Sequence, residues 1–306
     1  MSFDEFCLEQ LPSDDNFFYL WRNRPAVIIG LNQNVYSEVN LRYLEENGIA
    51  LARRVTGGGA VYHDLQNLNY TFVGKGLSPQ IIADALQGMG VPAELTGRND
   101  IYVDGRKVSG YARRVWRDRE MIHGTLMYDV DLEPLTRALD VDGSKLSAKG
   151  IASVRSRVGN LKSCLPQYPT IEAFRDALHA ILAQGDTEYV LGAEQLAQVQ
   201  QTAGAKFSSW DWVYGSSHEA GFTRSAKLPC GTVEAAITLD RGVIESVVFT
   251  GDFLGGLSPE PVAEALKGVR YELGEMKKAL AGEDLSRYFD GTSNEDVITL
   301  LRGTQP

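Results

Sequence analysis

Cysteine is scarce in this chain: three occur among 306 residues, at Cys7, Cys164 and Cys230. They show neither the close spacing of a zinc site nor the even number of a disulfide framework, so we expect a reducing compartment and a cytoplasmic protein. Long apolar runs are also lacking, and none approaches the roughly 20 residues that cross a bilayer. The N-terminus has no charged stretch followed by an apolar core, so the sequence predicts neither secretion nor a membrane partner.

Basic charge is in short supply as well. The chain has 30 Lys or Arg against 40 Asp or Glu, a formal net charge of −10. General nucleic-acid binding needs a basic face that neutralises phosphates, so this class is excluded. Residues 98–162 are an exception, with thirteen basic residues against nine acidic ones. A local basic region in an acidic protein favours a nucleotide or an acidic partner surface.

Glycine is plentiful, and three consecutive glycines, Gly57 to Gly59, follow Arg53 and Arg54 after two intervening residues. Residues without a Cβ let the backbone come close to a ligand, and exposed N–H groups and guanidiniums attract negative charge. Taken alone, the segment also fits a tight turn before a strand, and it matches neither the P-loop nor the dinucleotide pattern. It is therefore a candidate anion-binding loop.

Three more motifs follow the glycine-rich loop. Asp104-Gly105 predicts the turn of a hairpin that carries Lys107 on its return strand. A short HGTL sequence begins at His123, and residues 143–162 contain five basic residues and no acidic one. A lysine on a strand is held stiffly, and a basic loop suits a phosphate.

These motifs resemble those of the lipoate–protein ligase family, in the family's order and over nearly the whole chain. They read RRVTGGGAVYHD, GRND, KVSG, HGTL and KGIASVRSRV. The resemblance implies an α/β protein: a mixed-sheet catalytic core like that of the biotin and lipoate ligases, followed by a small C-terminal α+β domain. We expect the two domains at residues 1–215 and 218–306.

The same resemblance implies an ATP-dependent enzyme. It would activate lipoate to lipoyl-AMP, release pyrophosphate, and transfer the lipoyl group to a lysine of an acceptor protein. The expected acceptors are lipoyl domains of 2-oxoacid dehydrogenase complexes or the glycine cleavage H protein. ATP and lipoate are substrates and Mg²⁺ is expected, although no carboxylate cluster identifies its ligands.

Site residues follow from the match to the family's motifs. Lys107 is the expected catalytic cation and contacts both substrates. The expected ATP-binding residues are Arg53, Arg54, Gly59, Ala60, Val61, Tyr62, Lys107 and Lys149. The expected lipoate-binding residues are Gly57, Gly58, Asn67, Asp100, Lys107 and His123. His63 fits a packed or orienting role, Asp64 fits a turn cap as well as a direct role, and residues 145–160 resemble the adenylate-binding loop, which we expect to become ordered on phosphate.

Periodicity places secondary structure around these motifs. Residues 17–21 and 26–30 predict a hairpin, and residues 70–73 predict a buried strand. Ser78-Pro79 and Thr170 each predict a helix start. Residues 233–239 and 243–250 predict a second hairpin, with helices starting near Ser258 and Leu273.

Other readings stay open. An ATP-independent octanoyl or lipoyl transferase of the same fold would need a cysteine thioester, and a non-catalytic lipoate- or nucleotide-binding module would need no chemistry. A biotin ligase is disfavoured because its arginine- and glycine-containing loop is absent. The chain begins about one strand later than family members usually do, so we expect an outer strand to be missing. Gln66 and Tyr111 depart from the family pattern beside the pocket, which leaves the choice between lipoate and octanoate open.

Overall fold

The structure is a computed structural model that describes residues 1–11, 15–96, 99–139, 157–217 and 220–303. The chain divides into two compact units, one of Met1–Gln33 with Glu38–Ser209 and one of Asn34–Ser37 with Trp210–Pro306. The main division falls a few residues before the boundary that we predict at 215. No pattern in the sequence indicates that the short segment 34–37 belongs to the second unit.

The first unit is built on a six-stranded antiparallel sheet with the order β1-β5-β9-β8-β7-β6. The strands are β1 (Phe17–Trp21), β5 (Asn67–Gly74), β6 (Ala93–Thr96), β7 (Asp100–Val103), β8 (Arg106–Trp116) and β9 (Arg119–Met127). β5 is buried along its whole length, since it lies between β1 and β9. The strand that we predict at residues 70–73 is therefore confirmed as part of a longer one.

A three-stranded sheet in the same unit carries the glycine-rich loop. Its strands are β2 (Ala26–Ile29), β3 (Ala50–Arg53) and β4 (Val61–His63). β2 runs parallel to β3 and antiparallel to β4, so this sheet is mixed. The loop lies between the end of β3 and the start of β4. The predicted mixed-sheet α/β core is confirmed.

One face of the six-stranded sheet forms the main hydrophobic core of this unit. Leu68, Tyr70 and Phe72 project from β5 towards helices that bury Leu86 and Phe174. The helices of the unit are α1 (Ser2–Glu9), α3 (Leu41–Glu46), α4 (Gln80–Gly88), α5 (Leu132–Ala138), α6 (Ile171–Ala183) and α7 (Ala193–Thr202), and α2 (Val35–Glu38) lies almost wholly in the second unit.

The helix starts predicted from capping residues are confirmed to within one residue. Thr170 caps α6, because its hydroxyl accepts a hydrogen bond from the amide of Ala173 at 3.2 Å. At the start of α4 the N-cap is Pro79, one residue later than predicted, and Ser78 Oγ accepts from the amide of Gln80 at 3.2 Å. The helical spacing of apolar residues predicts a buried Ile81, but this side chain is 38% exposed. It lies in the first turn, where the helix has not yet reached the core.

The hairpin predicted from residues 17–21 and 26–30 is wrong. β1 pairs with β5, whereas β2 pairs with β3 and β4 in the other sheet. Two apolar runs separated by Arg22 to Pro25 predict two strands, but their composition does not specify a partner. The pairing of β2 with β3 instead brings the ends of both strands beside the glycine-rich loop.

The second unit contains an antiparallel sheet of β10 (Ala220–Leu228), β11 (Gly231–Asp240) and β12 (Val243–Gly251). β11 and β12 confirm the predicted hairpin, and alternate residues of β11 are buried from Val233 to Leu239. Three helices follow: α9 (Glu260–Leu266), α10 (Leu273–Ala279) and α11 (Asn294–Arg302), after the short α8 (Trp210–Val213). Among the described residues, no helix combines the length and the apolar character that crossing a membrane requires.

Candidate active site

A polar stripe on β5 lies beside the site and contributes Asn69 to its wall. Asn67, Asn69 and Thr71 alternate with the apolar core residues and are all buried. Side chains two apart on a strand lie on the same face, so the three share one side of the sheet. The amide of Asn67 donates to Asn69 Oδ1 at 2.9 Å, and Asn67 Oδ1 has no hydrogen-bond partner among the described residues.

A cavity of about 120 Å³ opens beside this stripe, within the first unit. Of the residues predicted to bind ATP, five line it: Arg54, Gly59, Ala60, Val61 and Lys107. Of those predicted to bind lipoate, Gly58, Lys107 and His123 line it. The structure does not place Arg53, Gly57, Tyr62, Asn67 or Asp100 in the cavity wall.

Sequence reasoning missed several wall residues. These include Trp21, Ile28, Asn69, Asn99 and Thr125, whereas Tyr111, expected beside the pocket, does line it. One signal could have found Asn69, because a polar residue at every second position of an otherwise apolar strand indicates a polar site on one face. No comparable signal exists for Trp21, whose place depends on the pairing of β1 with β5.

Lys107 lies where the hairpin prediction puts it. Asp104 and Gly105 both have positive φ, 49° and 73°, and Lys107 pairs with Tyr102 across the turn. The ammonium of Lys107 lies 2.7 Å from Asp100 Oδ1, and the side chain is 36% exposed. Asp100 therefore contacts the predicted catalytic cation.

The Lys107 side chain lies against Gly110. A Cβ built at Gly110 would be 3.0 Å from Lys107 Nζ, so the absent side chain leaves room for the ammonium. Residues 107 and 110 both line the cavity. The sequence KVSG thus places a cation and the space it needs on one strand.

Arg53 is fully buried and does not line the cavity. Its Nη1 donates to the carbonyl oxygens of Gly30, Leu31 and Gln33 at 3.1, 3.0 and 2.6 Å. These bonds hold the chain that leaves β2. The guanidinium of Arg53 thus stabilises the backbone that follows β2. The binding of ATP by Arg53 stays a prediction.

Arg54 lines the cavity and organises the glycine-rich loop from within. Its Nη2 donates to the carbonyl oxygens of Gly57 and Gly59 at 2.7 and 2.8 Å, and its Nη1 donates to Ile28 at 3.1 Å. Burial lowers the pKa of Arg54 to about 10, so the group stays charged at neutral pH. Gly58 has a φ of 95°, a conformation that favours glycine.

His63 forms part of the wall as a neutral imidazole. Burial, together with the nearby His123 and Arg54, lowers its pKa to about 3. Its Nδ1 lies 3.1 Å from Asn23 Nδ2 and accepts from it, so Nε2 carries the proton. Within the described part of the chain, Nε2 has no hydrogen-bond partner.

Asp64 and His123 have structural partners. Asp64 Oδ1 accepts from the amide of Gln66 at 2.8 Å, which confirms the turn cap. His123 lies between Thr56 Oγ1, 2.7 Å from Nε2, and Asp4 Oδ2, 3.2 Å from Nδ1. It faces the cavity while both its nitrogens have protein partners.

Lys149 and most of the predicted adenylate-binding loop lie outside the described residues, which stop at 139 and resume at 157. The segment that follows is placed beside the catalytic cation. Val158 forms a parallel bridge with Lys107, and the amide of Gly159 donates to the Lys107 carbonyl at 2.9 Å. The end of the basic segment is therefore anchored to the Lys107 strand.

Comparisons with known proteins show which family the chain belongs to. The family described as "Lipoyl protein ligase A/B catalytic domain" matches residues 1–183, and "Bacterial lipoate protein ligase C-terminus" matches residues 217–301. The lipoate-protein ligase LplJ of Bacillus subtilis is 36% identical, with 98% of this chain and 95% of that protein covered. Lipoate–protein ligase 1 of Staphylococcus aureus is also 36% identical, with the same coverage.

Solved structures show the same fold. A Thermoplasma acidophilum structure, described as a bipartite lipoate protein ligase and its E2 lipoyl domain, matches with a TM-score of 0.63 and 27% identity, over 69% of this chain and 89% of that one. Lipoate-protein ligase A bound with ATP matches with a TM-score of 0.60 and 26% identity, over 69% and 91%. The fold is that of ATP-dependent lipoate–protein ligases. The chain belongs to the lipoate–protein ligase family.

Proposed function

We propose that the cavity between the glycine-rich loop and Lys107 is where lipoate attacks the α-phosphate of ATP. Lipoyl-AMP and pyrophosphate form there, and a lysine of an acceptor protein then displaces AMP. The observation that supports this best is the convergence of Arg54, the loop and Lys107 on one cavity. The roles of the individual residues below are part of the proposal.

Two anions must approach each other in the first step. A unit charge about 4 Å from an anion near the protein surface contributes roughly 4 kcal/mol. Lys107, partly exposed and fixed on a strand, is suited to contact the lipoyl carboxylate and the α-phosphate together. Asp100 holds the ammonium at 2.7 Å until the substrates replace or share this contact.

The glycine-rich loop supplies the other half of the anion site. Gly58, Gly59 and Ala60 bring their backbone to the cavity without bulky side chains. Arg54 donates hydrogen bonds to the carbonyl oxygens of Gly57 and Gly59, which orients these oxygens towards the guanidinium. These bonds do not use the N–H groups of the loop. Groups held in place before the reaction stabilise developing charge without reorganising.

The wall near Trp21, Ile28 and Val61 is apolar and suits an acyl chain. His63 suits this wall too, because it is uncharged at neutral pH. The geometry does not separate lipoate from octanoate, since both chains are apolar. We take lipoate as the substrate from the family.

Mg²⁺ is expected as the counter-ion of the triphosphate. Among the described residues no group of three His, Cys, Asp or Glu could hold a metal ion. A Mg²⁺ ion that keeps most of its ligands from phosphate oxygens and water fits such a site, because this ion dehydrates reluctantly.

The acceptors that we propose are lipoyl domains of 2-oxoacid dehydrogenase complexes or the glycine cleavage H protein. The Thermoplasma ligase was solved with its E2 lipoyl domain, which supports an acceptor of this kind. A cytoplasmic location stays a prediction from cysteine usage.

A thioester transferase is not favoured by the cysteines. Burial and the nearby Asp4 raise the pKa of Cys7 to about 12, the opposite of what a nucleophilic thiol needs. Cys164 does not line the cavity, and Cys230 is buried in the second unit. Replacing all three by serine is expected to leave ATP-dependent lipoylation within a few-fold of the parent. An acyl-enzyme thioester in the intact mass spectrum, lost on replacing one cysteine, would instead establish the transferase.

Lipoate-dependent exchange of labelled pyrophosphate into ATP tests the proposal directly. We expect exchange with MgATP and lipoate together and none when lipoate is left out. Absence of exchange with both lipoate and octanoate would refute acyl-adenylate formation by this chain. Neither a thioester transferase nor a binding module would catalyse the exchange.

A further inference from the structure

A continuous line of buried polar side chains runs behind the glycine-rich loop. Asp4 on α1 is 2% exposed and accepts from Tyr19, from Thr71 Oγ1 at 3.3 Å and from His123 Nδ1 at 3.2 Å. On the other side of the imidazole, His123 Nε2 lies 2.7 Å from Thr56 Oγ1. These contacts connect the first helix to the loop through β9.

Asp4 is the hydrogen-bond acceptor at one end of this line. Burial alone would raise the pKa of Asp4, but the N-terminal ammonium and the hydrogen bond from His123 outweigh it and hold this pKa well below its usual range. An ionised Asp4 only accepts, so His123 Nδ1 carries a proton. On its other side, the His123 imidazole contacts the Thr56 hydroxyl through Nε2.

The line ends on the loop. Thr56 Oγ1 accepts from Arg54 Nε at 3.0 Å, and Arg54 in turn donates to the carbonyls of Gly57 and Gly59. Thr56 is 1% exposed, and neither Thr56 nor Asp4 lines the cavity. Both side chains therefore act on the site through other groups.

We propose that Asp4, His123 and Thr56 form a positioning relay that holds Arg54, and through it the glycine-rich loop, in the geometry that accepts ATP. The relay rests on the proposed function, because the loop is taken to bind the nucleotide. It assigns roles to Asp4 and Thr56, which are positioning residues without contact to the reacting atoms. Buried polar networks in which every member is bonded fix one geometry.

Loss of the relay should weaken ATP binding more than chemistry. Without the Thr56 hydroxyl, Arg54 Nε loses the shorter of its two hydrogen bonds and keeps only the one to the Gly57 carbonyl at 3.2 Å, so ATP must order the loop as it binds. We expect Thr56→Val, which keeps the side-chain shape, to raise the KM for ATP about tenfold while kcat changes less than threefold. Thr56→Ser restores the hydroxyl and should return the KM to within threefold of the parent.

A double-mutant cycle distinguishes a relay from two local effects. Asp4 and Thr56 contact His123 from opposite sides, so a relay makes their effects non-additive. We expect Asp4→Asn to raise the KM for ATP, and the Asp4→Asn, Thr56→Val double variant to be no worse than the worse single variant. Thr136→Val is the matched control, because it removes a buried threonine hydroxyl that donates to the Leu132 carbonyl at 2.7 Å and does not line the cavity; its KM should stay within threefold of the parent.

The measurement is lipoate-dependent pyrophosphate exchange as a function of ATP concentration, with circular dichroism for each variant. A parent-like KM in Thr56→Val, or effects of Asp4→Asn and Thr56→Val that simply multiply, would overturn the relay while the parent still exchanges. If the parent does not exchange, the proposed function fails instead. If Asp4→Asn does not fold, the comparison of Thr56→Val with Thr56→Ser decides alone.

Discussion

Side chains that line this site lie in different electrostatic environments. Lys107 lies at the cavity edge in an ion pair with Asp100, whereas His63 is buried and its pKa is lowered to about 3. An anionic substrate and an apolar acyl chain need these two environments next to each other. Each can be tested by a substitution that keeps the shape.

Removing the charge of Lys107 should abolish most of the adenylation. Lys107→Met keeps most of the stem, and we expect the exchange rate to fall by roughly two orders of magnitude, the scale of losing one preorganised donor to developing charge. Circular dichroism should show an unchanged fold. Lys278→Met, which removes a surface lysine paired with Glu275 at 2.6 Å, is the control and should exchange like the parent. Equal rates in both variants would remove Lys107 from the mechanism.

Protonation of His63 should destabilise the protein in acid. Its pKa falls from 6.5 to about 3 on folding, so the stabilisation is present above pH 6.5 and is lost as the pH falls towards 3. At pH 5 the expected loss is about 2 kcal/mol relative to pH 7. His63→Asn keeps an acceptor for Asn23 and cannot titrate. Urea denaturation at pH 5 and pH 7 should show that the free energy of unfolding changes less between the two pH values in the variant than in the parent. An equal change in both proteins would refute the assignment.

At the scale of elements, the glycine-rich loop is held by close packing on the end of β2. A Cβ at Gly30 would lie 2.0 Å from the Gly58 carbonyl oxygen and 3.2 Å from Arg54 Nη2. The loop can therefore close on β2 only because residue 30 has no side chain. This glycine lies outside the triple-glycine motif that marks the loop in the sequence.

Gly30→Ala should displace the loop. We expect a loss of about 1–3 kcal/mol in the free energy of unfolding, as for overpacking in a core, and at least a tenfold loss of exchange activity. Gly88→Ala in α4 is the control, since a Cβ there meets nothing within 4 Å. Equal losses of stability and of exchange activity in Gly30→Ala and Gly88→Ala would contradict this account of the loop.

Local patterns predicted the elements whose partners are close in the chain. The turn at Asp104-Gly105 specifies its own hairpin, and Thr170 caps its own helix, so neither depends on distant residues. Partners of β1 and β2 lie tens of residues away, and their choice depends on packing that a single run of residues does not encode.

The candidate site was predictable in part for the same reason. Lys107, Arg54, Gly58 and Gly59 are marked by motifs, and they line one cavity. Asp4 lies outside the motifs, and Thr56 lies inside one without a predicted role, because the role of both arises from contacts with His123 across three elements. The sequence predicts that both Arg53 and Arg54 bind phosphate. In the structure, Arg53 Nη1 donates hydrogen bonds to three backbone carbonyls.

At the scale of the whole molecule, the second unit is not continuous in sequence. Residues 34–37 belong to it although the rest begins at Trp210. Tyr36 is 1% exposed, and its ring packs against Tyr271 and Tyr214 with centroid distances of 5.3 and 6.3 Å. The amide of Val35 also donates to Ser217 Oγ at 3.2 Å.

Tyr36→Ala should therefore destabilise the second unit, despite its position near the start of the chain. Truncating a buried aromatic side chain leaves a cavity and costs about 3–5 kcal/mol. In hydrogen exchange, amides of β10, β11 and β12 should lose protection while those of β5 keep theirs. Tyr189→Ala, at a side chain that is 64% exposed, is the control and should change neither. Loss of protection confined to β5 and its neighbours would show that Tyr36 stabilises the first unit, and would contradict the division of the chain described here.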